Sequence, residues 1–153
     1  MFHTSSPRAL RWTAAAFLAA LAGTSCDMQG EPATIPVDRA VGNWRAESGA
    51  TVSLAADHTF TSTRLTVGGL ADTGCPGGRG SGDWAFFAHE GGNTYSASSE
   101  KTKSGSKIGL SFSSPSDTTC WMDLTVVDNG KSLCATDDPD MPCGLNTRFT
   151  RSK

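Results

Sequence analysis

The chain lacks a basic excess, a membrane-spanning run and helical periodicity. Its 13 Lys and Arg residues stand against 15 Asp and Glu residues, giving a formal charge of −2. Nucleic acids and anionic surfaces require clustered Lys and Arg, so this balance argues against both as partners. An apolar run at residues 12–23 is shorter than the roughly 20 residues that a helix needs to cross a bilayer. Beyond residue 40 we find no extended stretch with helical periodicity, which argues against a helical fold.

Patterns that bind metals are also missing. Outside the N-terminal segment, the histidines are His58 and His89. Neither belongs to a ligand spacing such as His-x-x-x-His. We interpret both as turn residues and expect no metal site and no cofactor.

Nucleophile and calcium-binding motifs are incomplete. Ser81, in the stretch GRGSG, has Arg79 where a nucleophile elbow needs glycine, so we interpret this stretch as a flexible loop. The acidic residues Asp137, Asp138 and Asp140 lack the spacing of a calcium-binding loop, and we interpret them as a solvated loop. The sequence therefore predicts a protein without enzymatic activity.

The N-terminus has the features of an export signal. Arg8 and Arg11 form a basic segment, residues 12–23 are apolar, and small residues follow. A basic segment followed by a short apolar run is typical of a secretory signal peptide that is removed from the mature protein. We therefore expect the chain to leave the cytosol.

The small residues at positions 23–25, directly before Cys26, resemble the lipobox of bacterial lipoproteins. The resemblance implies that residues 1–25 are a signal peptide and that the Cys26 thiol is acylated. The chain would then be anchored by lipid to the cell membrane, on the extracytoplasmic face. The alternative is an ordinary secretory signal with a chance cysteine near its cleavage site. Residues 26–40, which have little apolar content, are interpreted as a tether, and residues 41–153 as one domain.

The composition beyond the tether predicts an all-β fold. Short runs rich in Thr, Val, Phe and Ser alternate with Gly, Asn and Asp, as in a domain of about eight to nine short strands. Ile108, Leu110 and Phe112 fall on one face of their strand, which indicates one buried and one solvated face. This pattern suits an antiparallel meander that closes into a small barrel or sandwich. The predicted strands are 41–47, 51–55, 59–67, 82–88, 94–98, 107–113, 119–127, 132–136 and 145–151.

The stretch VVDNGKSL contains the clearest turn. Asn129 and Gly130 are a favoured pair for a type I′ turn, because both of its central residues need positive φ. Such a turn predicts a hairpin in which Thr125 lies opposite Cys134.

An even set of cysteines remains after Cys26, which in an exported chain predicts two disulfides among Cys75, Cys120, Cys134 and Cys143. The hairpin register puts Cys120 and Cys134 on opposite faces, about 17 Å apart, which excludes a bond between them. Of the two remaining connectivities we favour Cys134–Cys143 with Cys75–Cys120. The first closes a short acidic loop, and the second ties the glycine-rich loop 74–82 to the sheet.

Gly42-Asn43-Trp44 resembles the Gly-x-Trp opening strand of the lipocalins and related calycin-like barrels. The resemblance implies a lipocalin-like β-barrel in a small bacterial lipoprotein. In that family the Trp lies at the closed end of the barrel and is covered by an Arg of a late strand. The resemblance therefore implies a barrel-closing or ligand-binding role for Trp44, with Arg148 or Arg151 as the covering residue.

Trp121 lies out of phase with Cys120 and Met122 on its predicted strand. If it is exposed, it marks a surface contact site, since large exposed aromatic residues are typical of interfaces. The alternative is a second sheet that packs over this face.

Two functions stay open at this point. The first is a non-enzymatic, lipid-anchored envelope protein that binds a small apolar ligand inside a lipocalin-like barrel. The second is a structural or protein-interaction lipoprotein with a filled core and no ligand cavity. In both cases the partners include the membrane, through the N-terminal lipid, and exclude nucleic acid.

Overall fold

The computed structural model describes residues 30–66, 75, 78–89, 95–113, 120–138 and 140–153. The predicted signal peptide, Cys26 and the predicted strand ends at positions 67, 94 and 119 lie outside this part. Within it, no helix is long and apolar enough to span a membrane. The elements are β1 (Ile35–Pro36), α1 (Val37–Ala40), β2 (Gly42–Ala46), β3 (Thr51–Leu54), β4 (Thr59–Leu65), β5 (Gly78–His89), β6 (Tyr95–Ser99), β7 (Ser104–Gly105), β8 (Lys107–Phe112), β9 (Cys120–Val127), β10 (Ser132–Thr136) and β11 (Arg148–Arg151).

Eight of the strands form a closed antiparallel barrel. The strand order is β4-β3-β2-β11-β10-β9-β8-β5, and a further pairing of β4 with β5 closes the ring. The predicted all-β fold is confirmed, with a barrel as its architecture. β6 pairs with the same edge of β5 as β4 does, farther along the strand. Phe86 of β5 pairs with Ser99 of β6 on this edge and with Ile108 of β8 on the other edge. A small second sheet joins β1 to β7.

Residue alternation sorts each barrel strand into an inner and an outer face. The inward positions are apolar on β2, β3, β8, β9 and β10, and the large ones are almost completely buried. Several strands end at turns that contain Gly, Asn or Asp, such as the β2–β3, β3–β4 and β9–β10 turns. The fully buried large side chains are Trp44, Trp84, Phe60, Phe86, Phe149, Ile35, Leu65, Ile108, Leu110, Leu124, Leu133 and Val52.

The β9–β10 hairpin has the predicted turn and register. Asn129 has φ 56° and ψ 34°, Gly130 has φ 81°, and the Lys131 amide donates to the Asp128 carbonyl at 3.2 Å. These angles are those of a type I′ turn. Cys134 lies opposite Thr125, as predicted.

The cysteines pair as favoured from the sequence. Cys75 is bonded to Cys120 with 5.1 Å between Cα atoms, and Cys134 is bonded to Cys143 with 4.9 Å. The first pair lies in the barrel core, and the second packs against Val127 outside it. One disulfide therefore fastens the β4–β5 connection to the barrel, and the other holds the β10–β11 connection against β10.

Residues 30–40, assigned from the sequence to a tether, pack onto one end of the barrel. Ile35 is 1% exposed and pairs with Gly105, and the Ala33 amide donates to the Val126 carbonyl at 2.9 Å. The packed domain therefore begins ahead of residue 41. We call this end, which also holds the β3–β4 and β9–β10 turns, the covered end. The opposite end, which holds the β2–β3 turn and the β10–β11 connection, is the far end.

The stretch GRGSG, expected to be a flexible loop, is instead the beginning of β5. Its backbone pairs with β4 from Leu65 to Phe60. A Cβ atom at Gly80 would lie 2.8 Å from the Phe112 ring, so glycine here makes room for an inward aromatic side chain. The glycine content therefore reflects close packing and not flexibility.

We expect both disulfides to contribute to stability, and the contribution should rise with the logarithm of the length of the loop that each one closes. Cys75 and Cys120 are 45 residues apart, and Cys134 and Cys143 are 9 apart. The double variant Cys75→Ala/Cys120→Ala should lose about 4 kcal/mol of unfolding free energy and Cys134→Ala/Cys143→Ala about 3 kcal/mol, measured by urea denaturation. Peptide mapping without reduction provides the control, and a fragment joining Cys120 to Cys134 would contradict the register.

Candidate functional site

Large side chains of the described residues pack into the interior of the barrel, which is the expected ligand site. Phe60 and Phe112 pack edge to face with ring centroids 4.9 Å apart, and Trp84 and Phe86 do the same at 5.8 Å. Both arrangements are favourable aromatic geometries. A barrel of eight strands can be filled by side chains or can hold one small ligand, and here large aromatic side chains occupy the interior.

Trp44 fixes the covered end of the barrel. Its ring is fully buried, and its Nε1 donates to the Ala40 carbonyl at 2.9 Å. The guanidinium carbon of Arg151 lies 4.6 Å from the centroid of the Trp44 ring, which is within the range of a cation–π contact. Because Trp44 is on β2 and Arg151 is on β11, this contact joins the first and last barrel strands.

Arg151 also satisfies the end of helix α1. Its Nη1 donates to the Val41 carbonyl at 3.0 Å, and its Nη2 donates to the Arg39 carbonyl. The last carbonyls of a helix have no partner within the helix. Gly42 has φ 141°, and a Cβ there would lie 2.5 Å from Nη1 of Arg151. The Gly-x-Trp motif therefore provides both the aromatic surface and the space that the guanidinium occupies.

Arg148, the other candidate for covering Trp44, lies elsewhere. Its Nη1 forms an ion pair with Asp128 at 2.8 Å on the outside of the barrel. Phe149 points into the core, so Arg151 shares its face and Arg148 does not. Arg151 is therefore the covering residue, and Arg148 has no place in the barrel-closing contact.

Trp121 is exposed on the outer face of β9. Half of its surface (50%) is accessible, and it pairs across the sheet with Ser111. In the described part of the chain no second sheet covers this ring, so the alternative of a packed second layer does not hold.

Asp123 lies two residues along the same face. Burial raises the pKa of the Asp123 carboxyl, and the charge of Lys107 acts in the opposite direction and lowers it. Lys107 itself is 6% exposed. The ionised carboxylate is therefore less favourable in the folded chain than in water, which is the usual effect of desolvation.

His58 lies in the β3–β4 turn, as expected, and has contacts there. It has φ 66°, and its ring centroid lies 4.8 Å from that of Trp84. Its Nδ1 is 3.1 Å from the Trp84 carbonyl, and its own carbonyl accepts from the Trp84 amide at 2.7 Å. These contacts stabilise the turn and leave His58 a structural residue.

No group of metal-binding side chains occurs among the described residues. Asp138 and Asp140 are joined within their own loop, where the Asp140 amide donates to the Asp138 carboxylate at 2.8 Å. Ser81 lies in the middle of β5, paired with Thr61, and not at a strand-to-helix turn. These positions offer no nucleophile or metal geometry.

The outer face of the barrel carries a groove that the sequence did not reveal. It is lined by Arg45, Gly49, Thr51, Thr63, Arg64, Gly78 and Arg79. We call it the arginine groove. Its three arginines come from three strands, β2, β4 and β5, and therefore do not form a motif along the chain. Residue alternation on β2 places Arg45 on the outer face of the barrel. The pairing of β4 with β5 then brings Arg64 and Arg79 beside it.

We expect the Trp44–Arg151 contact to stabilise the fold more than the Arg148–Asp128 ion pair does. Arg151→Met removes the cation–π contact and leaves two carbonyls without their donor, so it should lose about 2 kcal/mol of unfolding free energy. Arg148→Met is the matched control and should lose less than about 1 kcal/mol, as exposed ion pairs do. Urea denaturation measures both, and equal losses would show that Arg151 has no special role.

Comparisons of the chain with protein-family models, with curated proteins and with solved structures find no match. The closed eight-stranded antiparallel barrel is consistent with a lipocalin-like barrel.

Proposed function

We propose that the protein is a non-enzymatic, lipid-anchored protein of the cell envelope, a lipocalin-like barrel with a filled interior that binds its partner through its outer surface. The observation that carries this proposal is the packing of the interior. Inward positions that would line a ligand cavity are occupied by large, fully buried side chains such as Trp84 and Phe86.

Both ends of the barrel support this interpretation. At the covered end, residues 30–40 pack over the barrel, and both Ile35 of this segment and Trp44 of β2 are buried. At the far end, the Cys75–Cys120 disulfide belongs to the core cluster together with Leu65 and Phe112. A ligand entering from either end would have to displace covalently or tightly held groups. The alternative function, binding of a small apolar ligand inside the barrel, is therefore disfavoured.

The lipocalin-like assignment is supported by the covered end. A Gly-x-Trp strand follows a short helix, and an Arg of the last strand covers the Trp. This is the arrangement that the resemblance implies, with Arg151 as the Arg.

The filled interior can be tested with the neutral hydrophobic dye Nile red. The full chain, purified in detergent-free buffer or at a detergent concentration below the critical micelle concentration, should show only the dye binding of its acyl chains, which replacement of Phe86 by Trp leaves unchanged. A protein with an eight-stranded barrel that holds an apolar ligand serves as the positive control, because such an interior can enclose one small molecule. Saturable binding to the unchanged protein, lost when Phe86 is replaced by the bulkier Trp, would contradict the proposal.

The proposed anchor can be tested by mass spectrometry of the protein purified from membranes. We expect an N-terminal Cys26 that carries fatty acyl groups, with residues 1–25 removed. Cys26→Ser should release the protein from the membrane fraction, since more than one acyl chain is needed for stable anchoring. Cys143→Ser is the matched control and should stay with the membrane. An unprocessed N-terminus, or an unmodified Cys26, would contradict the anchor.

A further inference from the structure

The arginine groove concentrates positive charge on a chain whose formal charge is −2. None of the seven residues that line it is acidic. Within the described part of the chain, no ion pair joins Arg45, Arg64 or Arg79 to a carboxylate, whereas Arg148 nearby is paired with Asp128. Three unpaired guanidinium groups in one groove repel one another, and an anion between them would remove that repulsion.

A β-bulge places Arg64 in the groove. Strict alternation from Phe60 and Ser62, which face inward, would turn Arg64 into the core. The register of β4 against β5 shifts between Ser62 and Leu65, so Leu65 faces inward with 1% exposure and Arg64 faces out. Bulges commonly redirect a side chain in this way next to functional sites.

The backbone at Arg64 is held in an unfavourable conformation. Its φ is 51°, in the left-handed region that long side chains rarely adopt, and the Thr66 amide donates to its carbonyl at 2.9 Å. Strained residues of this kind cluster at binding sites. Nη1 of Arg64 lies 3.6 Å from the position that a Cβ atom at Gly49 would take, so its guanidinium reaches across the β2–β3 turn.

Hydroxyl groups lie between the arginines. Thr51 on β3 and Thr63 on β4 are cross-strand partners, and their Oγ1 atoms are 2.7 Å apart. One hydroxyl donates to the other, so the pair keeps one hydroxyl proton for a ligand. Among the described residues that line it, the groove thus combines guanidinium donors with a hydroxyl donor and no carboxylate.

We propose that the arginine groove binds the phosphate group of a phosphorylated ligand. A carboxylate has two oxygens, whereas a phosphate monoester presents three acceptor oxygens and up to two negative charges, and so can engage forks from several arginines at once. This inference rests on the proposed surface-binding function and gives it a ligand class. The phosphate can belong to a soluble or polymeric ester or to a lipid headgroup, and these sources are separable by experiment.

Calorimetric titration of the detergent-solubilised full chain with inorganic phosphate and with polyphosphate tests the proposal. We expect saturable binding that weakens as salt rises, with chloride at equal ionic strength as the blank. Arg45→Gln, Arg64→Gln and Arg79→Gln should each weaken polyphosphate binding about tenfold, as expected for loss of one charge-assisted contact. Lys131→Gln, an exposed residue on the β9–β10 turn with the same change in charge, should leave the affinity within about twofold.

Arg64→Gly separates binding from folding. Glycine adopts positive φ without penalty, so this variant should remain at least as stable as the parent and still lose affinity about tenfold. Binding of vesicles containing phosphatidic acid, whose headgroup is a phosphate monoester, but not of polyphosphate, with the same dependence on the three arginines, would support a lipid headgroup as the source.

Absence of saturable binding to every phosphate probe, or binding that the three substitutions leave unchanged, would overturn this inference. If Nile red is still excluded in that case, the filled-barrel function stands without the phosphate ligand. Saturable Nile red binding that Phe86→Trp abolishes would instead overturn the proposed function, while the titration would still report whether the groove binds phosphate.

Discussion

The pairing of β4 with β5 is the contact on which the rest of the structure depends. It closes an open sheet of antiparallel strands into a ring, which leaves the barrel strands without free edges. Closure with eight strands fixes a narrow interior, which side chains can fill or one small ligand can occupy. Trp84 and Phe86 of β5 meet Leu110 and Ile108 of β8 there. The same ladder contains the bulge that turns Arg64 outward, so closure of the barrel and formation of the arginine groove have one origin.

The two ends of the barrel are closed by different physical means. At the covered end, residues 30–40 close the ring by burial and hydrogen bonding, and Arg151 joins the first barrel strand to the last. At the far end the closure is covalent, because Cys75–Cys120 fixes the β4–β5 connection against the start of β9. Small domains with limited cores are commonly stabilised by disulfides, and here one of the two also occupies interior space.

Features set by local sequence could be predicted, and features set by closure could not. The Asn129–Gly130 turn follows from backbone preferences of two residues, and its register then decided against a Cys120–Cys134 bond. Residue alternation could decide between Arg148 and Arg151, because Phe149 must face inward and Arg151 shares its face. The resemblance alone did not separate the two arginines. By contrast, the bulge at Arg64 depends on a partner strand distant in sequence.

Composition misled in two places for related reasons. The prolines and polar residues before residue 41 suggested a tether, yet Ile35 is buried. A single buried residue produces no periodic pattern in the sequence. The glycines of positions 78–82 suggested a loop, yet Gly80 faces the Phe112 ring across the barrel. In both cases the residue that contacts the segment comes from another strand. A short window of the sequence around the segment therefore does not show whether the segment is packed.

The positions of the proposed anchor and of the arginine groove are physically related. Gly30 lies beside Val127 and Asp128 at the covered end, so the chain enters the barrel there. Four residue steps join Cys26 to Gly30 and span at most about 14 Å, which would keep an acylated Cys26 close to that end. The groove lies toward the far end, because Gly49 is in the β2–β3 turn, Arg64 is near the end of β4 and Gly78 is at the start of β5. An anchored barrel would therefore hold the arginines away from its own membrane, which favours a phosphate ester outside the membrane over a headgroup within it.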